Sequence, residues 1–584
     1  MKLHRLLILL LFLLSLCWFC GCKNSSSPAD SSGLTTKTQE TSAGEQDSGA
    51  GEETAQKPQT YLGNDTLTFT YSEADYRALE SEIDQWYRLF EAGNDPDGFL
   101  ELYEQMEEGS FSKLDDQKTV AYILFSLDLH NESVKQQYLE MEKRATAASR
   151  RICALYDDIN DSAYKDSFFA EWSDEDIRHA LKSAKASTDE FEQLSNAYTE
   201  LTVTYAALPD DANYLSASAQ LYMQAISLNK QMAQLMGYDN YMDYAYDYVY
   251  HREYTPDDVN SILSLIQQTG FLDATTTGLF SALGNLQDGM SKEETENVLP
   301  YLMHPPVISE DFNGTAPSSE HITAYLQRVS PNFLSAYNQL FKDGNYALAF
   351  NDASREGAFT AYLSGAGHPV CYFGGSAYQS ATTLLHEFGH YYAIDKMGSE
   401  QFSLDLSEVH SQGNEWLYAV YLGTETLTSR SAAYYFDYKL LMDITSFYLC
   451  LCINDFELYV YTHDNYTASD LDKIFLDICT SYGVSEFLLD MMGEGLISYW
   501  HRVTLENPGY YISYAMSLLP SIEIACIATE NMDTAINAYL CLSDVSPDTD
   551  FTTALHTAGL HTPFDKEIYT RISGTVAKFR RLIR

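Results

Sequence analysis

The chain has 584 residues, 45% of them hydrophobic and 20% charged, an ordinary balance for a soluble globular protein with a large core. Its formal net charge of −48, from 83 acidic against 35 basic residues, excludes nucleic acid as a partner, because phosphate binding needs clustered lysine and arginine. The 45 tyrosines predict surfaces or a cavity rich in amphipathic rings.

Residues 1–22 read as an export signal. Lys2 and Arg5 precede a largely apolar run of 14 residues, Leu6 to Phe19, too short to span a bilayer but suited to a signal core. The run ends in Phe19-Cys20-Gly21-Cys22, which resembles a bacterial lipobox. Cys22 is then the lipidated N-terminus of a protein anchored to the outer side of the bacterial cell membrane. An uncleaved anchor and a plain signal peptide are the alternatives, and all three export the body of the chain. Residues 23–60 hold no aromatic residue and are dominated by Ser, Thr, Gly, Ala, Glu and Gln. Such a segment buries too little apolar surface to offset its ordering entropy, so it is expected to be a flexible tether.

From residue 61 to 584 the pattern is helical, which predicts one large helical domain, or two lobes around a cleft. Residues 71–92 carry Tyr76, Leu79, Ile83, Trp86 and Leu89 at helical spacing. Further amphipathic runs cover 114–156, 187–205, 216–235 and 331–341. Thr255-Pro256-Asp257-Asp258 is a helix start, with a capping hydroxyl, proline at the first helical position and early acids. No repeat of fixed period is present. Residues 358–362 and 370–373 are strand-like and bracket the turn-forming Ser364-Gly365-Ala366-Gly367. A short sheet here offers an edge on which an extended peptide can pair as an added strand. The seven cysteines after Cys22 are odd in number and sit mostly in apolar company, so they read as core residues, not as a disulfide framework.

His386-Glu387-Phe388-Gly389-His390 follows, the pattern H-E-x-x-H. On a helix, residues four apart share a face at about 5–6 Å, so two imidazoles can grip one cation. Glu387 between them is placed to act as general base on water. A catalytic zinc takes three protein ligands, so a third is expected downstream. Glu408 and Glu415 are seven apart on the next predicted helix and share a polar face with Ser411 and Gln412. That face is costly to bury unless a cation satisfies it. Glu408, 18 residues past His390, is the expected third ligand, and Glu415 an outer group that orients a ligand. His410 reads either as a replacement ligand or as a helix-surface residue. Gly389 is expected to let a neighbouring backbone approach the metal helix.

The H-E-x-x-H motif followed by Glu408-Val409-His410-Ser411 resembles the M3 family of zinc peptidases, the group of oligoendopeptidase F and thimet oligopeptidase. The stretches Met236 to Tyr241, Arg355 to Phe359 and Asn507 to Tyr514 extend the resemblance over about residues 140–560. It implies a mostly α fold, with a deep central channel admitting short peptides and a small β-sheet next to the H-E-x-x-H helix, the zinc site lying within about 350–520. It implies one zinc per chain held by His386, His390 and Glu408, oligopeptide substrates and no obligate protein partner. By the same resemblance Glu387 is the catalytic base and Tyr510 stabilises the oxyanion. Tyr511 and Tyr514 then lie along the substrate, and His501 is a substrate-contacting histidine. The chain departs from the family pattern at Ala393 and His410. The function expected is zinc-dependent hydrolysis of internal peptide bonds outside the cytoplasm. A metallocarboxypeptidase, or a lipoprotein that binds peptides without cleaving them, are the rival readings.

Overall fold

The computed structural model describes residues 60–582, except 303–305, 310–311, 318, 376–379, 399–402, 483–485 and 547–548. The export signal, Cys22 and the tether up to residue 59 lie outside the described residues. The chain is mostly helical, with one four-stranded mixed sheet. The helices start where short polar side chains can cap them. Ser72 and Asp75 form a capping box ahead of Glu73–Ala92, and Thr255 and Asp258 do the same ahead of Pro256–Thr269, with Pro256 in the first turn.

The predicted run 114–156 is two helices, Ser112–Leu127 and Glu132–Cys153. The break is local chemistry that apolar spacing does not register: Asp128 Oδ1 accepts from the His130 amide, and Asn131 caps the second helix through Ser133 and Val134. The other runs form Asp189–Ala206, Tyr214–Leu235 and Pro331–Asp343.

The sheet has the order β1-β2-β4-β3, with β1 Thr60–Leu62, β2 Tyr346–Ala349, β3 Gly357–Leu363 and β4 His368–Gly374. β2 and β4 run parallel; β1 and β3 are antiparallel edge strands. The sequence pattern reveals β3 and β4 but neither β1 nor β2. All four residues of β2 are buried, so the strand has no inside–outside alternation to betray it. Thr60, expected in the tether, instead pairs with Ala349.

The largest core runs through the C-terminal half and includes Trp416, Phe447 and Trp500. A second gathers Trp86, Phe99 and Phe168 from the N-terminal helices, and a third lies against the sheet around Val120, Ile123 and Val370. Helix Ile512–Glu530 is apolar in overall composition and mostly buried, as such a helix must be in a core of this kind. Between these bodies lies a cavity of about 1750 Å³.

Candidate active site

The H-E-x-x-H motif sits in helix Ala381–Met397, opened by Ser380, whose hydroxyl accepts from the Thr383 amide at 3.2 Å. Leu384, Leu385 and Phe388 are fully buried and fix the opposite face. His386 and His390 therefore project one turn apart, with ring centroids 5.0 Å from each other. Helix Leu404–Glu425 crosses over them. At the crossing, a Cβ on Gly389 would lie 2.4 Å from the His410 carbonyl oxygen and 2.8 Å from Ser411 Cα, so only glycine permits this approach.

The crossing brings Glu408 Oε2 to 3.7 Å from Nε2 of both imidazoles. The other ring nitrogens are already engaged: His386 Nδ1 with Glu415 Oε1 at 2.7 Å, and His390 Nδ1 with Ser407 Oγ at 3.0 Å. Each ring thus turns Nε2 toward the same point. Donor atoms of His386, His390 and Glu408 lie within 4.8 Å of one another. Zinc–nitrogen and zinc–oxygen bonds of about 2.0–2.2 Å put neighbouring tetrahedral donors about 3.3 Å apart, so a small inward movement lets this set hold one zinc.

Electrostatics make the same point. Burial opposes a charge on His386, but Glu415, then Glu387 and Glu408, outweigh it and push the imidazole up to about 9. Burial and the neighbouring His386 drive His390 well below its ordinary value. Burial raises the Glu408 carboxyl and pushes Glu387 up to about 7. Packed polar groups in such conflict are what a divalent cation relieves.

Glu387 faces the cavity with its Oε2 accepting from Thr360 Oγ1 of β3 at 2.8 Å. Glu408 is held twice more: Tyr510 Oη donates to Oε1 at 2.6 Å and Ser411 Oγ to Oε2 at 3.0 Å. Tyr510, Tyr511 and Tyr514 line the cavity together, the first and last with centroids 5.3 Å apart. Residues 357–360 of the edge strand β3 line it as well.

The fold thus gathers His386, Glu387, His390, Glu408, Glu415 and Tyr510 around one point, with Tyr511 and Tyr514 on the same cavity wall. His501 is not brought there. It is buried beside Trp500, with Nδ1 bonded to Ser218 Oγ at 2.7 Å and Nε2 to Asp472 Oδ1 at 3.0 Å, and is absent from the cavity lining. The substrate contact that the resemblance implies for His501 is therefore not made by this ring, which lies in helix Glu486–Val503 ahead of the turns at 504–510. His410 is neither a ligand nor a surface residue: two positions beyond Glu408 it is rotated about 200° around the helix and is fully buried. Three contributors carry no motif: Ser407, Thr360 and Lys439, which pairs with Glu415 Oε2 at 3.2 Å. Only Lys439 has a sequence signal, a lone lysine in a long apolar run with Asp443 four residues on.

No protein-family model matches the chain, and no curated protein matches it in sequence. Solved structures do resemble it. PZ peptidase A with an inhibitor superposes with a TM-score of 0.69 at 15% identity, over 88% of this chain and 99% of the other. A Bacillus anthracis protein described as an oligoendopeptidase F gives 0.67 at 13% identity, covering 90% and 99%. Oligoendopeptidase F from Enterococcus faecium gives 0.52 at 13% identity, covering 88% and 98%. The likeness is one of architecture, and with the geometry above it makes this a metallopeptidase-like fold containing a His386–His390–Glu408 candidate metal group.

Proposed function

We propose that this chain is a zinc-dependent oligopeptidase that hydrolyses internal bonds of short peptides outside the cytoplasm, tethered to the membrane through a lipidated Cys22. The observation that carries the reading is the meeting of two imidazoles, a carboxylate and Glu387 on one wall of a cavity of about 1750 Å³. His386, His390 and Glu408 would hold a zinc ion, which would supply the Lewis acidity that polarises a carbonyl and acidifies water. Glu387, raised toward neutrality by burial, is poised to accept a proton from the attacking water and return it to the leaving amine. Thr360 keeps that carboxylate turned to the cavity. Tyr510, with Tyr514 beside it, is placed to donate to the oxyanion. The half-buried edge strand β3 suits an extended peptide pairing its backbone against residues 357–360.

Two features favour an endopeptidase over a carboxypeptidase or a pure binder. Arg355 is held by both oxygens of Glu506, at 3.0 and 2.7 Å, and Arg502 by Asp210 at 3.2 Å. Among the described residues, two of the three cavity guanidiniums are thus committed to carboxylates of the wall instead of awaiting a peptide C-terminus. The third, Arg252, is buried 3.8 Å from Asp405 and donates to Ser513 Oγ at 2.8 Å. A general base between the two histidines is superfluous in a protein that only binds peptides. Glu387→Gln is expected to abolish peptide cleavage while zinc stays bound, read by metal content and turnover of a fluorogenic peptide. Full turnover in that variant sinks the assignment. C-terminally amidated and free peptides are expected to be cleaved alike; cleavage of the free forms alone would convert the reading to a carboxypeptidase.

A further inference from the structure

Behind His386 a chain of buried charges leads away from the metal group. Glu415 accepts from His386 Nδ1 at Oε1 (2.7 Å) and from Lys439 Nζ at Oε2 (3.2 Å). Lys439 also meets Asp443 Oδ2 at 3.1 Å, one turn along its own helix, Ser429–Thr462. The side chains of Glu415, Lys439 and Asp443 are only 14%, 12% and 10% exposed. The ammonium is further backed by the Trp416 ring, 4.8 Å from its centroid. His390 has no such arrangement; its partner is the neutral Ser407 hydroxyl. The two imidazoles are therefore oriented by different means, one by a hydroxyl and one by a carboxylate with its own counter-ion.

We infer that Lys439 is a positioning residue for the metal: it holds Glu415 in the rotamer that fixes the His386 ring with Nε2 toward the cation. Without it, Glu415 and Asp443 are two desolvated carboxylates with no cation between them, and they move apart. Glu415 then turns from His386, and the ring loses its anchor. A lysine suits this task because a compact ammonium can serve two carboxylates from different helices at once. Burial opposes its charge, but Asp443 and Glu415 outweigh that and hold Lys439 protonated. Asp443 shares the ammonium without touching the metal group, so its loss leaves Lys439 to Glu415 alone.

The inference rests on the metal reading, and the test separates the two. Zinc affinity of the full chain is measured by chelator competition for wild type, Lys439→Met, Lys439→Arg, Glu415→Gln and the Met–Gln double variant. Lys439→Met is expected to weaken zinc binding about 10–100-fold, the range for lost partners of metal ligands. Lys439→Arg is expected to recover most of it. In the Glu415→Gln background, Lys439→Met is expected to change affinity less than about threefold, because its route to the metal is already cut. A merely structural lysine would lower affinity equally in both backgrounds, and that result overturns the inference, as does wild-type affinity in Lys439→Met. A wild-type chain that binds no zinc overturns the metal reading and this inference together. Should Lys439→Met not fold, Asp443→Asn carries the test: affinity at or above wild type is expected, and a loss of about tenfold overturns the proposal.

Discussion

The hydroxyl of Tyr510 donates to Glu408 Oε1 at 2.6 Å, while Glu408 Oε2 faces both imidazoles at 3.7 Å. One carboxylate oxygen is thereby anchored and the other left to the cation. Tyr510 has one hydroxyl proton for two proposed tasks: here it sets the third ligand, and it must turn from Glu408 to donate to charge that develops on the substrate. Tyr510→Phe keeps the ring and removes both. It is expected to weaken zinc binding about tenfold, as loss of a partner to a ligand does. It is also expected to lower kcat about 100-fold, as loss of an oxyanion donor does. Chelator competition and steady-state kinetics on zinc-saturated protein separate the two effects; wild-type values in both would leave Tyr510 without a role. The site residues legible in the sequence are those tied by helical spacing: His386, Glu387 and His390 within one turn, and Glu408 and Glu415 seven apart. Thr360 and Ser407 are invisible there because their contribution is a single hydroxyl delivered by tertiary packing. His501 is carried over from a family resemblance alone, and a matched residue type says nothing about which way its ring turns, here toward Ser218 and Asp472.

Helix packing is what turns two separate motifs into a site. Helix Ala381–Met397 and helix Leu404–Glu425 touch at Gly389, where a Cβ would stand 2.4 Å from the His410 carbonyl oxygen. Gly389→Ala gains about 1 kcal/mol in helix propensity but forces the helices apart, an overpacking that costs about 1–3 kcal/mol. The backbone of His410 and Ser411 gives way less readily than a side chain, so net destabilisation is expected, together with weaker zinc binding because Glu408 recedes with its helix. Calorimetry of the metal-free protein and chelator competition check the two parts; a stabilised variant with wild-type zinc affinity would show that the crossing is not held by this contact. This close approach is foreshadowed in the sequence by a glycine inside a strong helical pattern. The sheet is only half visible: β3 and β4 announce themselves through a central turn, whereas β2 is too short and too evenly buried to carry a period, and β1 only pairs with a strand far away in the chain.

Across the whole molecule, acid outnumbers base by 83 to 35, and the cavity repeats the imbalance, with twelve carboxylates and four lysine or arginine side chains on its walls among the described residues. Those bases are spoken for: Arg355 by Glu506, Arg502 by Asp210, Lys439 by Glu415 and Asp443, and Arg252 beside Asp405 at 3.8 Å. At the rim, Glu253 is pushed up to about 7, first by burial and then by the neighbouring Asp550, a sign of carboxylates without a counter-ion. A cleft of one sign with low-dielectric walls focuses its field, drawing opposite charge inward and repelling like charge. Peptides flanked by lysine are therefore expected to be cleaved with kcat/KM about tenfold or more above matched peptides flanked by glutamate at low ionic strength, mainly through KM. Screening shortens the reach of that field to about 3 Å at 1 M salt, so the gap is expected to narrow steeply with added salt. A neutral peptide serves as the reference, its cleavage establishing activity and its salt response the baseline. Equal rates for the lysine and glutamate series at every ionic strength would mean that the acidity of the walls is solvated surface without influence on what enters.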